Sequence, residues 1–445
     1  IYVGGAHPMI TCKEEVDRKD IDFPVYQRQL LQAVYQENHR VIAALVTSVP
    51  YAIGWEKQHL PAILTMAGGS MELGNGLADI LFGKKAPAGR LNMTWYRDTE
   101  QLPDMDDYDI IQKERTYQYF KGEVLYPFGY GLTYAPTEID ALTAKVSTDE
   151  KYIDVTCTVR NMGQVRDALP PQDEVVQIYY TKKDSAVKRP IRTLIAFKRV
   201  KDLEAGEERT VSFRIPVEDL MYYDTIQRKK LLEPGMYEIQ AGHSSADIDV
   251  VVTATLKGQE RGYRDGGLWQ PADHYDRSRN GYLWEGHMGY DSVAHRADAH
   301  VPEELFEKVG GLWQNINEVT REEKSGERLD DCLVLEYDRV RLPEETAYLV
   351  LDADAVPEST VDVFINDIHN TSYIVPDFED LSGAGDNPGW AAAATAKNAP
   401  HGRIFRQLLI SVEGLETSKE PVTLRLRCQG DLKICRWRFV KGNTK

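Results

Sequence analysis

Two textures of apolar and polar positions divide this chain. Up to about Tyr134, short apolar runs alternate with amphipathic stretches. Pro24 stands where a helix can begin, and Val25, Leu30, Leu31 and Val34 recur at helical spacing as far as Asn38. Val41 to Val46 and Ala62 to Ala67 are runs of buried-strand length, and Leu73 to Phe82 reads as a short helix closed by Gly83. Helices alternating with buried strands predict a layered α/β domain whose sheet is parallel or mixed and whose loops are free to carry chemistry. After Pro136 the period drops to two, in Tyr152 to Val159, Glu174 to Tyr180, Thr210 to Ile215 and Met236 to Ala241. Turn signals at Asn161-Met162-Gly163, Glu204-Ala205-Gly206 and Glu233-Pro234-Gly235 separate these runs and predict a two-sheet β-sandwich. From Lys257 a Gly-, Tyr-, Trp- and Asp-rich segment leads to Cys332 to Tyr337, Ala347 to Leu351, Val361 to Ile365, Leu408 to Val412 and Val422 to Cys428. These predict a further, jelly-roll-like β-sandwich, with a long loop where turn formers crowd between Asp377 and His401.

Composition narrows the classes this chain can belong to. At 445 residues, 42% hydrophobic and 28% charged, it is folded protein of two to four domains at roughly 100–200 residues each. A net charge of −17 repels a polyphosphate backbone, so nucleic acid is excluded as a partner. No apolar run approaches the roughly 18–20 residues that span a bilayer, so a membrane role is excluded too. The five cysteines (Cys12, Cys157, Cys332, Cys428 and Cys435) are odd in number and lack metal-site or disulfide spacing; free thiols in a reducing, cytoplasmic compartment are expected. The opening Ile1-Tyr2-Val3-Gly4-Gly5 reads as the end of a buried strand already in progress, so the true N-terminus is expected elsewhere.

The most specific stretch is Tyr126-Pro127-Phe128-Gly129-Tyr130-Gly131-Leu132-Thr133-Tyr134, preceded by Arg115-Thr116-Tyr117-Gln118-Tyr119-Phe120 and, further upstream, by Gly83 to Arg90. With Glu14-Glu15-Val16-Asp17-Arg18, Ile21-Asp22-Phe23-Pro24, Arg90 to Tyr96 and Gln101-Leu102-Pro103-Asp104, this ordered series resembles the second domain of family 3 glycoside hydrolases, in a form closest to the xylosidase-like branch. Val159 to Gly163, Glu174-Val175-Val176-Gln177, Arg189-Pro190 and Glu233-Pro234-Gly235 resemble the fibronectin type III-like sandwich that follows it in that family. The resemblance covers about residues 1 to 255 and implies a multidomain α/β and β fold: a partial α/β sandwich over 1–135, a fibronectin type III-like domain over 136–256 and an additional β-sandwich over 257–445.

The resemblance also implies an activity: retaining hydrolysis of terminal β-D-xylosyl or β-D-glucosyl residues. That chemistry uses two carboxylates about 5–5.5 Å apart and a water, with no metal or cofactor. The family's Asp nucleophile sits on an N-terminal (β/α)8 barrel, which these residues do not contain, so a barrel segment or chain is an implied partner. Glu14, three residues before Asp17-Arg18, takes the position of the general acid/base, with the adjacent Glu15 as the alternative. Asp17-Arg18 is read as an ion pair or helix-entry cap that fixes this loop, because Arg stays protonated. The Tyr126 to Tyr134 run is read first as packing between the two domains and only second as a sugar-stacking surface. Trp269, Tyr282 and Trp284, close together in an irregular segment, are candidates for contact with a β-linked glycoside or oligosaccharide. A rival reading on the same domains is a non-catalytic carbohydrate-binding or scaffold protein, and self-association is compatible with either.

Overall fold

The computed structural model describes residues 1–7, 10, 18–69, 71–103, 109–164, 169–279, 281–285, 291–295, 332–355, 357–376, 406–412, 415, 420–430 and 432–441. They form two compact units, Ile1–Tyr222 with Leu231–Glu260, and Tyr223–Lys230 with Arg261–Lys445. The fold is multidomain, α/β and then β.

The first unit opens with β1 (Tyr2–Gly5), α1 (Val25–Glu37), β2 (Ile42–Val46), α2 (Gly54–His59), β3 (Ala62–Met66) and α3 (Leu73–Leu81). The strands are parallel in the order β1-β2-β3, with Tyr2 paired to Ala43 and Ala43 to Ile63. Pro24 sets the helical entry to α1, and the Asn38 N–H closes it on the Val34 carbonyl. Gly83, at φ +71°, turns the chain after α3 as the sequence pattern anticipates. Leu31, Val41, Ala43, Leu45, Tyr51, Ile53 and Trp95 make the core.

Of the α1 residues that recur at helical spacing, Leu31 is buried, while Val25, Leu30 and Val34 are 61%, 58% and 38% exposed. One expectation about this layer needs correction. β1, expected to be buried, hides Tyr2 and leaves Ile1 and Val3 exposed, because it is an edge strand that pairs with β2 alone among the described residues.

After a short helix α4 (Thr116–Tyr119) come β4 (Thr137–Val146), β5 (Tyr152–Asn161), β6 (Gln172–Thr181), β7 (Thr193–Leu203), β8 (Glu208–Pro216), β9 (Tyr222–Asp224), β10 (Lys229–Leu231), β11 (Gly235–Ser244) and β12 (Asp247–Leu256). Two antiparallel sheets, β4-β5-β8 and β12-β11-β6-β7, face each other over Val155, Cys157, Val176, Ile178, Val211 and Ile239. Among the described residues β9 and β10 pair only with each other, and the hairpin residues Tyr223–Lys230 belong to the second compact unit.

That unit is the additional β-sandwich. Its strands are β13 (Arg264–Asp265), β14 (Gln270–Pro271), β15 (Arg277–Arg279), β16 (Gly281–Glu285), β17 (Asp291–His295), β18 (Leu333–Arg341), β19 (Thr346–Ala355), β20 (Thr360–Ile365), β21 (Ile368–Ile374), β22 (Arg406–Ser411), β23 (Val422–Gln429) and β24 (Leu432–Lys441). One sheet runs β13-β18-β23-β20-β21, with β15 also on β18; the other runs β16-β17-β24-β19-β22, with β14 also on β24. Strict alternation along β23 puts Leu424, Leu426 and Cys428 into the core with Leu335, Tyr337, Leu351, Trp437 and Phe439. A buried ion quartet lies in the same unit. Arg261 Nε donates to Asp224 Oδ1 at 2.7 Å and Arg264 Nη2 to Asp276 Oδ2 at 3.0 Å, while Arg261 also bonds Asp276. Thr225 Oγ1 and the Asp338 N–H complete the set around Asp276.

Candidate functional site

The aromatic-glycine run builds a seam between the α/β domain and the sandwich strand β6. Tyr117 of α4 stacks on Phe128, ring centres 4.2 Å apart and planes 13° apart, and meets Tyr179 of β6 edge-on at 6.3 Å. Its hydroxyl accepts from the Leu194 N–H at 3.1 Å. Gly129 adopts φ +82° against β6, where the Gln177 amide donates to its carbonyl at 3.0 Å. A methyl at Gly129 would fall 2.1 Å from Gln177 Oε1, so only glycine fits this approach. Gly131 is held equally close, its added methyl 2.1 Å from the Gly89 carbonyl oxygen.

Polar residues of β6 finish the seam. Gln172 accepts from Thr133 and from the Ala135 N–H, and donates back to the Ala135 carbonyl. Glu174 accepts from Arg90 at 2.6 Å and from Thr137 at 2.6 Å. His243 sits between two carboxylates, with Nε2 3.0 Å from Asp249 and Nδ1 3.5 Å from Glu174. Burial alone would raise the Glu174 pKa, but the His243 hydrogen bond and the Arg90 charge bring it down to about 2. Gln172, Glu174, Gln177 and His243 were not singled out as site residues by their sequence alone. The available signal was polar side chains interrupting an otherwise apolar strand.

The buried phenols and thiols of this unit and the next are held in their neutral forms. Burial pushes the phenols of Tyr117 and Tyr179 up and that of Tyr126 to about 12, so near neutrality they are hydroxyls rather than bases. The thiol of Cys157 is pushed up to about 11 by burial and that of Cys428 is raised as well, which makes both inert nucleophiles.

Glu14 and Glu15, the acid/base candidates, lie outside the described residues, as does Asp17. Arg18, which follows them in sequence, donates to the Pro50 carbonyl at 3.2 Å and lies over the Tyr51 ring at 5.0 Å. Arg18 is thus anchored to the α/β core. Glu72 lies just ahead of α3 and accepts from the Asn75 amide. In the second unit, the Trp269 ring lies against Arg436 and Arg438 of β24, both guanidinium carbons 4.5 Å from its centre. Tyr282 and Trp284 fall on β16, two strands from β24 in the same sheet; register links Tyr282 through Ala294 to Lys433. The long stretch read as a loop from Asp377 to His401 lies outside the described residues.

A parallel α/β layer bonded side chain by side chain to a seven-stranded sandwich is the architecture of the described residues of the first unit. Its domain pair is similar to that of the C-terminal half of family 3 glycoside hydrolases. Residues 1–134 match the sequence model described as glycosyl hydrolase family 3 C-terminal domain, and residues 174–245 the one described as fibronectin type III-like domain. Over 266 residues the chain is 32% identical to a xylan 1,4-beta-xylosidase of Xylanibacter ruminicola, covering 58% of this chain and 30% of that protein. A beta-glucosidase structure from Kluyveromyces marxianus, in complex with glucose, superposes with a TM-score of 0.52 at 28% identity over 57% of this chain and 31% of its own. The GH3 beta-glucosidase structure of Bifidobacterium adolescentis gives 0.52 at 29% identity, over 58% and 38%. The chain spans between 28% and 35% of the length of the curated relatives it matches.

Proposed function

We propose that this chain is the C-terminal part of a retaining β-glycosidase acting on terminal β-D-xylosyl or β-D-glucosyl residues. Glu14 serves as general acid/base, with Glu15 as the alternative, and the Asp nucleophile comes from a (β/α)8 barrel supplied by another segment or chain. The relatives named xylosidase and glucosidase support the substrate class. The observation that carries the reading is the open side of the α/β layer. β1 presents an unpaired edge among the described residues, and Ile1, Val3, Val25, Tyr26 and Leu30 are all more than half exposed. An apolar surface of this kind beside an edge strand is a surface waiting for more protein. The barrel-bearing segment, with the remainder of the α/β layer, is the occupant this reading requires.

In this arrangement Arg18 tethers the Glu14 loop to the core while the loop leans over the barrel mouth. Burial against substrate and the neighbouring nucleophile carboxylate would raise the acid/base pKa enough for it to protonate the leaving oxygen, then deprotonate water in the second step. The test combines this chain with its barrel segment and follows aryl β-xyloside and β-glucoside hydrolysis. Turnover that appears on combination and falls by about 10²–10⁴ in Glu14→Gln supports the assignment. Loss in Glu15→Gln instead moves the role by one residue. Sugar binding without turnover in the combined sample would establish the non-catalytic binding protein in its place.

A further inference from the structure

The outer face of the sheet β16-β17-β24-β19-β22 carries charge that the ion pairs of the second unit do not consume. On β24, Trp437 and Phe439 point into the core, so the alternating Arg436 and Arg438 lie on the opposite face. Arg436 is neutralised: its Nε donates at 2.8 Å to Oδ2 of Asp352, its register partner on β19. Arg438 is not. Among the described residues no carboxylate forms an ion pair with it, and its Nε is sealed from solvent without a hydrogen-bond partner. Across the sheet from Arg438 stand Val350 of β19 and then Leu409 of β22, both apolar.

A comparable arrangement on the other sheet supplies the contrast. Tyr263 lies 4.3 Å and 3.9 Å from the guanidinium carbons of Arg339 and Arg341 on β18, but there the Arg339 Nε is satisfied by the Gly262 carbonyl. Arg341 is exposed there, so water solvates its charge. The Trp269 cluster has the same aromatic anchor, but Arg438 is only partly exposed and its Nε is closed off without a partner.

The leftover chemistry specifies a ligand. With Nε closed off, a guanidinium resting on an indole keeps its two in-plane Nη groups for a carboxylate, which they bind as a fork. The half-buried Trp269 ring and the exposed Leu409 side chain offer apolar surface to the C–H face of a pyranose. A small inorganic anion would use only the cation, and a neutral sugar only the apolar surface. We propose that this face binds a uronic-acid residue of a glycan, its carboxylate on Arg438 and its ring beside Trp269. The proposal concerns binding alone and goes beyond the catalytic reading, so its success or failure is independent of whether the chain supports hydrolysis.

The experiment is calorimetric titration of the full chain with a glucuronic acid-bearing xylo-oligosaccharide, with the neutral xylo-oligosaccharide of equal length, and with sodium sulfate. Binding is expected for the acidic oligosaccharide, weaker at raised salt. Arg438→Gln, which keeps the size and polarity of the side chain, is expected to lose about tenfold or more in affinity, the value of one charge-assisted contact. Trp269→Ala is expected to lose as much, and Tyr263→Ala to retain binding. Equal affinity for the neutral oligosaccharide, sulfate binding as tight as the uronate, or an Arg438→Gln variant that binds unchanged would each overturn the proposal.

Discussion

Arg90 and Glu174 meet at 2.6 Å across the seam between the α/β domain and the sandwich, with only 8% and 1% of their side chains exposed. A charge pair so enclosed adds little net stability over an apolar pair, but its halves cannot be separated cheaply. Arg90→Met is therefore expected to cost about 3–5 kcal/mol, and the double change Arg90→Met with Glu174→Met to recover part of it. Urea midpoints of the two variants decide this. A single variant within about 0.5 kcal/mol of the parent would mean the seam is not structural.

His243 makes the same seam sensitive to pH. Burial alone would lower its pKa, but Glu174 by hydrogen bond and charge, then Asp249 and Asp247, outweigh burial and hold it above the ordinary value of 6.5. The folded state thus favours the protonated ring. That contribution is complete below about pH 6.5 and is lost as pH rises through the folded pKa. Glu174 runs the other way: its contribution is present above 4.5 and is lost as pH falls toward about 2. Stability should peak in between, at about pH 5–6, and His243→Gln should flatten the alkaline limb. Denaturation midpoints from about pH 5 to 9 test it; an unchanged alkaline slope in the variant refutes it.

Gly129 leaves no room for a side chain. With φ at +82° and Gln177 Oε1 at 2.1 Å from an added methyl, Gly129→Ala must both strain the backbone and displace a β6 side chain. A loss of about 2–4 kcal/mol is expected, read as a lowered melting temperature. Gly54→Ala, where an added methyl meets nothing within 4 Å, is the matched control, expected to change stability far less.

In the second unit, Asp276 accepts from both Arg261 and Arg264 with 8% of its side chain exposed. Burial works to raise its pKa, yet the charges of Arg264 and Arg261 hold it below the usual carboxylate value. Asp276→Asn removes one charge from a closed quartet and should cost about 3–5 kcal/mol. Calorimetry should show the loss in one of two transitions, the one assigned to the second unit, with the other unmoved.

Much of this architecture was legible from periodicity. α1 was expected to run to Asn38 and ends at Glu37, and the positive φ values of Gly83, Gly206 and Gly235 fall at marked turns. Periodicity says which residues share a face but not what covers that face: Val25, Leu30 and Val34 keep helical spacing with Leu31 and are exposed. β24 escaped notice because its pairing with β19 slips between Asp352 and Ala353, so the apolar alternation from Ile434 to Trp437 breaks step. The seam was hard to read for another reason. Alternation with the core residues Val176 and Ile178 sends Gln177 to the outer face, and only a second domain packed on β6 makes burying it possible. Glu14 and Glu15 carried no physical signal of their own; an acidic pair in a loop looks like ordinary surface, and the family resemblance alone singled them out.

The seam also bears on how such chains diversify. Gln172, Glu174 and Gln177 each find a partner among residues before Thr137 or at that strand's first position. A chimera joined at Pro136 would place β6 from one parent against Arg90, Gly129 and Ala135 from another, stranding buried groups on both sides. The α/β layer and the sandwich are therefore a single heritable cassette, and shuffling preserves them only when the exchanged block carries both halves of the seam.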